Sequence, residues 1–173
     1  MHGTARYSLV GAITLIACGC SLVRSIGHLS PPPGVDALAD IVGTWQSDTT
    51  NGTSALSACA WTPQRAGVLC DQTITSSNGE QHATDLFTFD HATRRYIFYV
   101  LGKPGDVMNP VPLAIDGHVW TYGGQQRNAN GVYTRTVNDF TQSGVYTWRV
   151  ESSTDGAHWS AGLHGLSRRV ATR

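Results

Sequence analysis

Lysine is almost missing from this sequence. Lys103 is the only one, and the twelve basic and twelve acidic residues cancel at neutral pH. Binding to nucleic acid relies on clustered cationic side chains that neutralise phosphates, so this balance argues against a nucleic-acid partner, and no basic cluster suits an anionic lipid surface. Long Ala/Leu/Glu/Lys stretches are also missing, whereas Gly, Ser, Thr and Asn are plentiful, a composition that favours strands and turns over helices. No apolar run reaches the roughly 20 residues of a membrane-spanning helix. Catalytic signatures are lacking too. There is no Gly-x-Ser-x-Gly elbow, no His-Glu-x-x-His helix and no phosphate-cradling glycine loop, and isolated aspartates do not supply the paired acids of glycoside hydrolysis. The chain is therefore expected not to be an enzyme. Its histidines, including His82, His91, His118, His158 and His164, fall in strands or hairpin turns, where such residues are more often solvated or hydrogen-bonded than catalytic.

With 173 residues the chain accommodates one domain and a targeting segment. The targeting segment is residues 1–17. Arg6 precedes the apolar run Leu9 to Ala17, the charged-then-apolar order of a secretory signal. The run ends in Leu15-Ile16-Ala17-Cys18-Gly19, which resembles the bacterial lipobox: a leucine three before the cysteine, a small residue just before it, and a thiol to receive the diacylglycerol. Cleavage would make Cys18 the lipidated N-terminus. Cys20 is a second candidate, with Ala17 where leucine is usual, and an ordinary secretory signal with incidental cysteines is the plainer alternative. Gly19 is not the aspartate that resembles an inner-membrane retention signal. The expected location is thus the cell envelope, lipid-anchored and facing the periplasm or exterior, and the outer membrane in a cell with two. Residues 18–40, with Ser30-Pro31-Pro32-Pro33-Gly34, read as an extended tether, with one helical turn at Asp36 to Asp40.

From Ile41 to Val170, short β-prone runs alternate with turn signals such as Asn78-Gly79, Asp116-Gly117, Asn130-Gly131 and Asp155-Gly156. Ten strands are expected, near 43–48, 54–61, 68–76, 84–90, 96–101, 113–116, 118–123, 132–141, 145–152 and 159–170. Nearly every connection is a hairpin, so the fold class is all-β: an antiparallel up-and-down barrel of about 8–10 strands, closed so that no edge is exposed. Tyr146, Trp148 and Val150 alternate with Thr147, Arg149 and Glu151, which puts one face of that strand inside. Tyr96 to Leu101 is apolar on both faces, so its outer side needs cover. Cys59 and Cys70 lie symmetrically about the turn Pro63 to Gly67 and would face one another across a hairpin. A disulfide there would contribute roughly 3 kcal/mol at most. Two buried free thiols are the alternative, and a zinc pair fits less well because no second ligand pair stands at the usual spacing.

Gly43-Thr44-Trp45 resembles the Gly-x-Trp signature of the lipocalin and calycin superfamily. The C-terminal block Tyr146-Thr147-Trp148-Arg149, Ser153-Thr154-Asp155-Gly156, Trp159, Gly165 and Arg168 resembles an uncharacterised bacterial family of lipocalin-like secreted proteins. The resemblance implies that Gly43, Trp45 and Arg168 close the barrel floor, the guanidinium lying over the indole; Arg169, adjacent, would point the other way, so register decides between the two. A barrel of about eight to ten strands leaves room for one small ligand, so a binding module for a small apolar or amphiphilic molecule is expected, with Trp120, Tyr122, Tyr146 and Trp148 as inward aromatics that line the site or else fill the barrel. No cofactor or metal is expected. An envelope structural or interaction protein with a filled barrel is the alternative; haem held through His164, as in nitrobindin-type barrels, and a hydrolase are minor ones.

Overall fold

A computed structural model of the chain describes residues 34–101 and 109–171; the expected signal peptide, Cys18 and the proline run lie outside them. A short 3-10 helix, Val35–Ile41, is followed by ten strands: β1 Gly43–Thr49, β2 Ser54–Trp61, β3 Gly67–Ser76, β4 Gly79–Asp90, β5 Arg95–Leu101, β6 Val111–Asp116, β7 Val119–Arg127, β8 Tyr133–Gln142, β9 Val145–Ser153 and β10 Ser160–Val170. Each strand pairs antiparallel with its predecessor, and β1 pairs with β10, so the sheet is a closed up-and-down barrel. No helix among the described residues is long and apolar enough to cross a membrane.

Most strands fall where the alternation puts them. The largest departure is β4, which begins at Gly79 rather than Thr84. Of its added residues Gly79 to Ala83 all but Ala83 are exposed, yet they pair with β3 from Ser76 to Gln72, because Gly79, at φ 102, closes a tight turn and the two arms zip up from it. In β9, Tyr146 and Trp148 face the interior as expected. The two-sided apolar strand β5 sends Phe98 inward, stacked on Phe87 at 4.9 Å. On the outside, Ala60, Leu69, Leu86 and Tyr99 stand in register across β2 to β5. Among the described residues, neighbours shield the row in part, and Leu69 remains 41% exposed.

The 3-10 helix seals the end of the barrel at which β1 begins and β10 finishes. Val35, Leu38 and Ile41 are buried beneath the 3-10 helix, spaced three apart as that helix requires to keep one face inward. Tyr96 donates a hydrogen bond to the Gly34 carbonyl at 2.5 Å, and His118 Nδ1 lies 2.8 Å from the Asp40 carboxylate. The segment expected as the end of a tether is therefore a plug belonging to the folded domain, which starts several residues before Ile41.

Above the plug, Trp45 is 2% exposed, donates its indole N–H to the Ile41 carbonyl at 2.7 Å, and meets Tyr146 edge-on at 4.9 Å. The cation over it is Arg169, whose guanidinium carbon is 4.5 Å from the indole centroid. This corrects the assignment to Arg168. The β1–β10 register places Trp45 opposite Arg169, so these two share the inner face, while Arg168 points outward, 4.0 Å from Asp48. Gly43 keeps its expected place for a clear reason. Its φ is 133, and a Cβ there would stand 2.5 Å from the Arg169 guanidinium, so only glycine lets the arginine lie across the floor.

Candidate functional site

The barrel is packed at its closed end and hollow toward the other. A cavity of about 340 Å³ runs from Ile41 and the Cys59–Cys70 pair up to Thr49, Thr53, Ile74 and Leu163 at the mouth. The two cysteines are directly paired on β2 and β3, with Cα atoms 4.0 Å apart, and form a disulfide. It lines the base of the cavity and ties the hairpin shut where the wall meets the plug.

The aromatic part of the wall is Phe87 on β4, Phe98 on β5, Tyr122 on β7, and Tyr146 and Trp148 on β9. Three of the four aromatics expected at the site are therefore brought together on it. Trp120 is the exception. It is fully buried one step deeper, against Phe140 at 5.0 Å and Phe87 at 5.7 Å, and belongs to the packed floor rather than the cavity lining. Trp120 and Tyr122 share a face, but depth along the barrel axis separates their roles.

The polar part of the wall is more informative. Asn138 donates to the Tyr122 hydroxyl at 2.8 Å, and Ser47 and Ser167 share a hydrogen bond of 2.6 Å next to Tyr146. Burial pushes both phenols above their ordinary range, so they are neutral hydrogen-bonding groups. Asp85, on β4, also faces the cavity and is 6% exposed. The Gln72 amide of β3 donates to its carboxylate. Burial pushes its pKa up to about 7, and the Gln72 bond offsets only part of that rise. Sequence reasoning passed over Asp85, Gln72 and Asn138. The signal for Asp85 was its phase: it stands two and four residues before Phe87 and Phe89, on the same inward face.

None of the described cavity-lining residues is Lys, Arg or His. The five described histidines lie outside it. His82 is beside Glu80 and Thr73, His118 holds the plug, His158 pairs with Asp155 at 2.7 Å, and His91 sits edge-on to Phe89. His164 is exposed on β10, its Nδ1 3.3 Å from the Gly162 carbonyl, so it offers no imidazole to the interior and the cavity does not fit a haem held in that way. Among the described residues no cluster of His, Cys, Asp and Glu is arranged to hold a metal ion.

On the outer wall, Glu151 is gripped by Arg135 and Arg149, each at 2.6 Å, and Arg135 in turn covers Trp159 at 4.0 Å. Burial raises the Glu151 pKa, but the two guanidinium bonds outweigh it and hold the carboxyl below its usual range. The C-terminal block noted in the sequence thus folds as a latch between β8, β9 and the loop before β10. A scan against protein-family models and a search of curated proteins each return no match to the chain.

Proposed function

We propose that this chain is an exported envelope lipoprotein whose barrel binds a small apolar or amphiphilic molecule, without catalysing a reaction. The observation that carries the reading is the cavity of about 340 Å³, walled by aromatic rings with a few placed polar groups and stopped by a packed floor. Small-ligand sites have this constitution: concave, mainly apolar, with few convergent polar atoms, and from about 300 Å³ upward. The cavity also favours a binding role over a filled structural barrel. The floor made by Gly43, Trp45 and Arg169 supports kinship with calycin-type barrels. Anchoring is proposed through Cys18, on the strength of the lipobox-like run before it. Each buried acyl CH₂ contributes about 0.8 kcal/mol, so two or three chains hold a protein firmly on a membrane.

Two measurements test this. Titrating the purified domain with geraniol and decanol should change the tryptophan emission saturably, through Trp148 in the wall, and Trp148→Ala should lose most of that response while keeping its far-UV circular dichroism. If neither probe alters the emission or the melting temperature, the cavity is not a binding site for such molecules. In cells, the parent protein should fractionate with membranes, whereas Cys18→Ala should be released or remain an uncleaved precursor. Membrane fractionation of the variant unchanged from the parent would remove the anchor.

A further inference from the structure

We propose that the cavity selects cations, and that its occupant is an amphiphile with an apolar body and one protonated amine paired with the Asp85 carboxylate. The inference rests on the ligand-binding reading above and narrows it to a chemical class. A carboxylate or phosphate headgroup would find no counter-charge among the described residues of the lining, which include no Lys, Arg or His. Among the described lining residues, Asp85 is the one able to carry charge near neutral pH. Its neighbours are the disulfide-bonded Cys70 directly across on β3, Gln72 diagonal to it on the same strand and hydrogen-bonded to it, Val100 opposite on β5, and Phe87 on its own strand. The groups facing it from the remaining wall are Tyr122, Asn138 and Tyr146, of which the two phenols are titratable and both are kept neutral by burial.

A carboxylate held among aromatic rings with a single amide donor is costly unless something compensates its charge. Among the described residues the lining supplies no cation, whereas an ammonium in the cavity would compensate the charge, beside the rings of Tyr122, Tyr146 and Trp148 that line the same space. At protein-like packing density the volume admits a ligand of roughly a dozen non-hydrogen atoms. Because burial holds the free carboxyl at about 7, the binding step at and below that pH is an exchange. The ammonium enters, the Asp85 proton leaves to solvent, and the ion pair forms. Amine affinity should therefore rise as pH increases through about 7, until the amine itself loses its proton.

The test compares three probes of one shape: phenylbutylamine, phenylbutanol and phenylbutyrate, titrated at about pH 8 against the tryptophan emission of the parent and of Asp85→Asn. The amine should bind the parent about tenfold or more tightly than the alcohol, with the carboxylate weakest. Asp85→Asn should abolish the advantage of the amine, so that amine and alcohol bind the variant within about threefold of each other. Equal binding of amine and alcohol to the parent, or an amine preference that survives in Asp85→Asn, would overturn the cation inference while leaving the binding module intact. Failure of all three probes, together with geraniol and decanol, would bring down both.

Discussion

Trp45→Ala is expected to destabilise the domain by about 3–5 kcal/mol, the range for removing a large aromatic side chain from a packed site. Domains of this size are stable by only about 5–15 kcal/mol, so the loss is a large fraction of the whole. Three contacts go at once. The indole fills the floor at 2% exposure, its N–H satisfies the Ile41 carbonyl at the end of the plug, and its face carries the Arg169 guanidinium. The tightness of the surroundings limits collapse into the gap, because Tyr146 and Phe140 are held by their own strands at the opposite edge. The arginines serve as the controls. Arg169→Ala should cost about 1 kcal/mol through the lost cation–π contact, and Arg168→Ala should stay within about 0.5 kcal/mol because its partner Asp48 is an exposed carboxylate at the edge of contact distance. Urea denaturation gives all three values from the midpoint at constant slope. An Arg168 variant as damaging as the Arg169 variant would mean that the floor is built in the other register.

That register marks the limit of what the sequence made legible. Neighbouring strand residues point to opposite faces, so choosing between Arg168 and Arg169 requires knowing the β1–β10 pairing to a single residue, and no turn connects those two strands to set it. Cys59 and Cys70 were readable for the opposite reason. One short turn joins their strands, and symmetry about it fixes which residues meet. The same holds for β9, where three apolar residues alternate with three polar ones. The plug was half legible: Asp36 and Asp40 suggest a helical turn, but Val35, Leu38 and Ile41 recur every three residues, a period easily overlooked in so short a segment. Trp120 and Tyr122 share a face, and nothing local says which lies deep enough to pack and which borders space. Asp85 was hidden by its charge. An acidic residue at an inward phase conflicts with the binary pattern of a strand, and such conflicts are where function tends to be found.

Asp85→Asn is expected to stabilise the protein, and to do so increasingly as pH rises. In the unfolded chain the carboxyl titrates near its ordinary 3.8, whereas in the fold burial moves it to about 7. Between those values the folded chain keeps a proton that the unfolded chain has released, so protonation favours the fold. The contribution is complete below about 3.8 and is lost as pH rises through about 7. Above that, the fold carries a buried charge whose partner is the Gln72 amide. A gap of this size corresponds to roughly 4 kcal/mol as an upper figure, and water reaching the cavity through its mouth reduces it, so a gain of about 2–4 kcal/mol is expected for the variant at about pH 9. At about pH 4 the parent residue is protonated in the fold, and the two proteins should differ by less than about 1 kcal/mol. The comparison is clean because Glu151, Asp90, Asp139 and Asp155, all held below their ordinary pKa, weaken the fold only on acidification and do so equally in both proteins. Urea midpoints across the pH range provide the measurement. A difference between variant and parent that stays flat with pH would show that Asp85 is not buried as a titrating acid, and a variant less stable at high pH would show that its charge is compensated within the fold, leaving no need for a cation from outside.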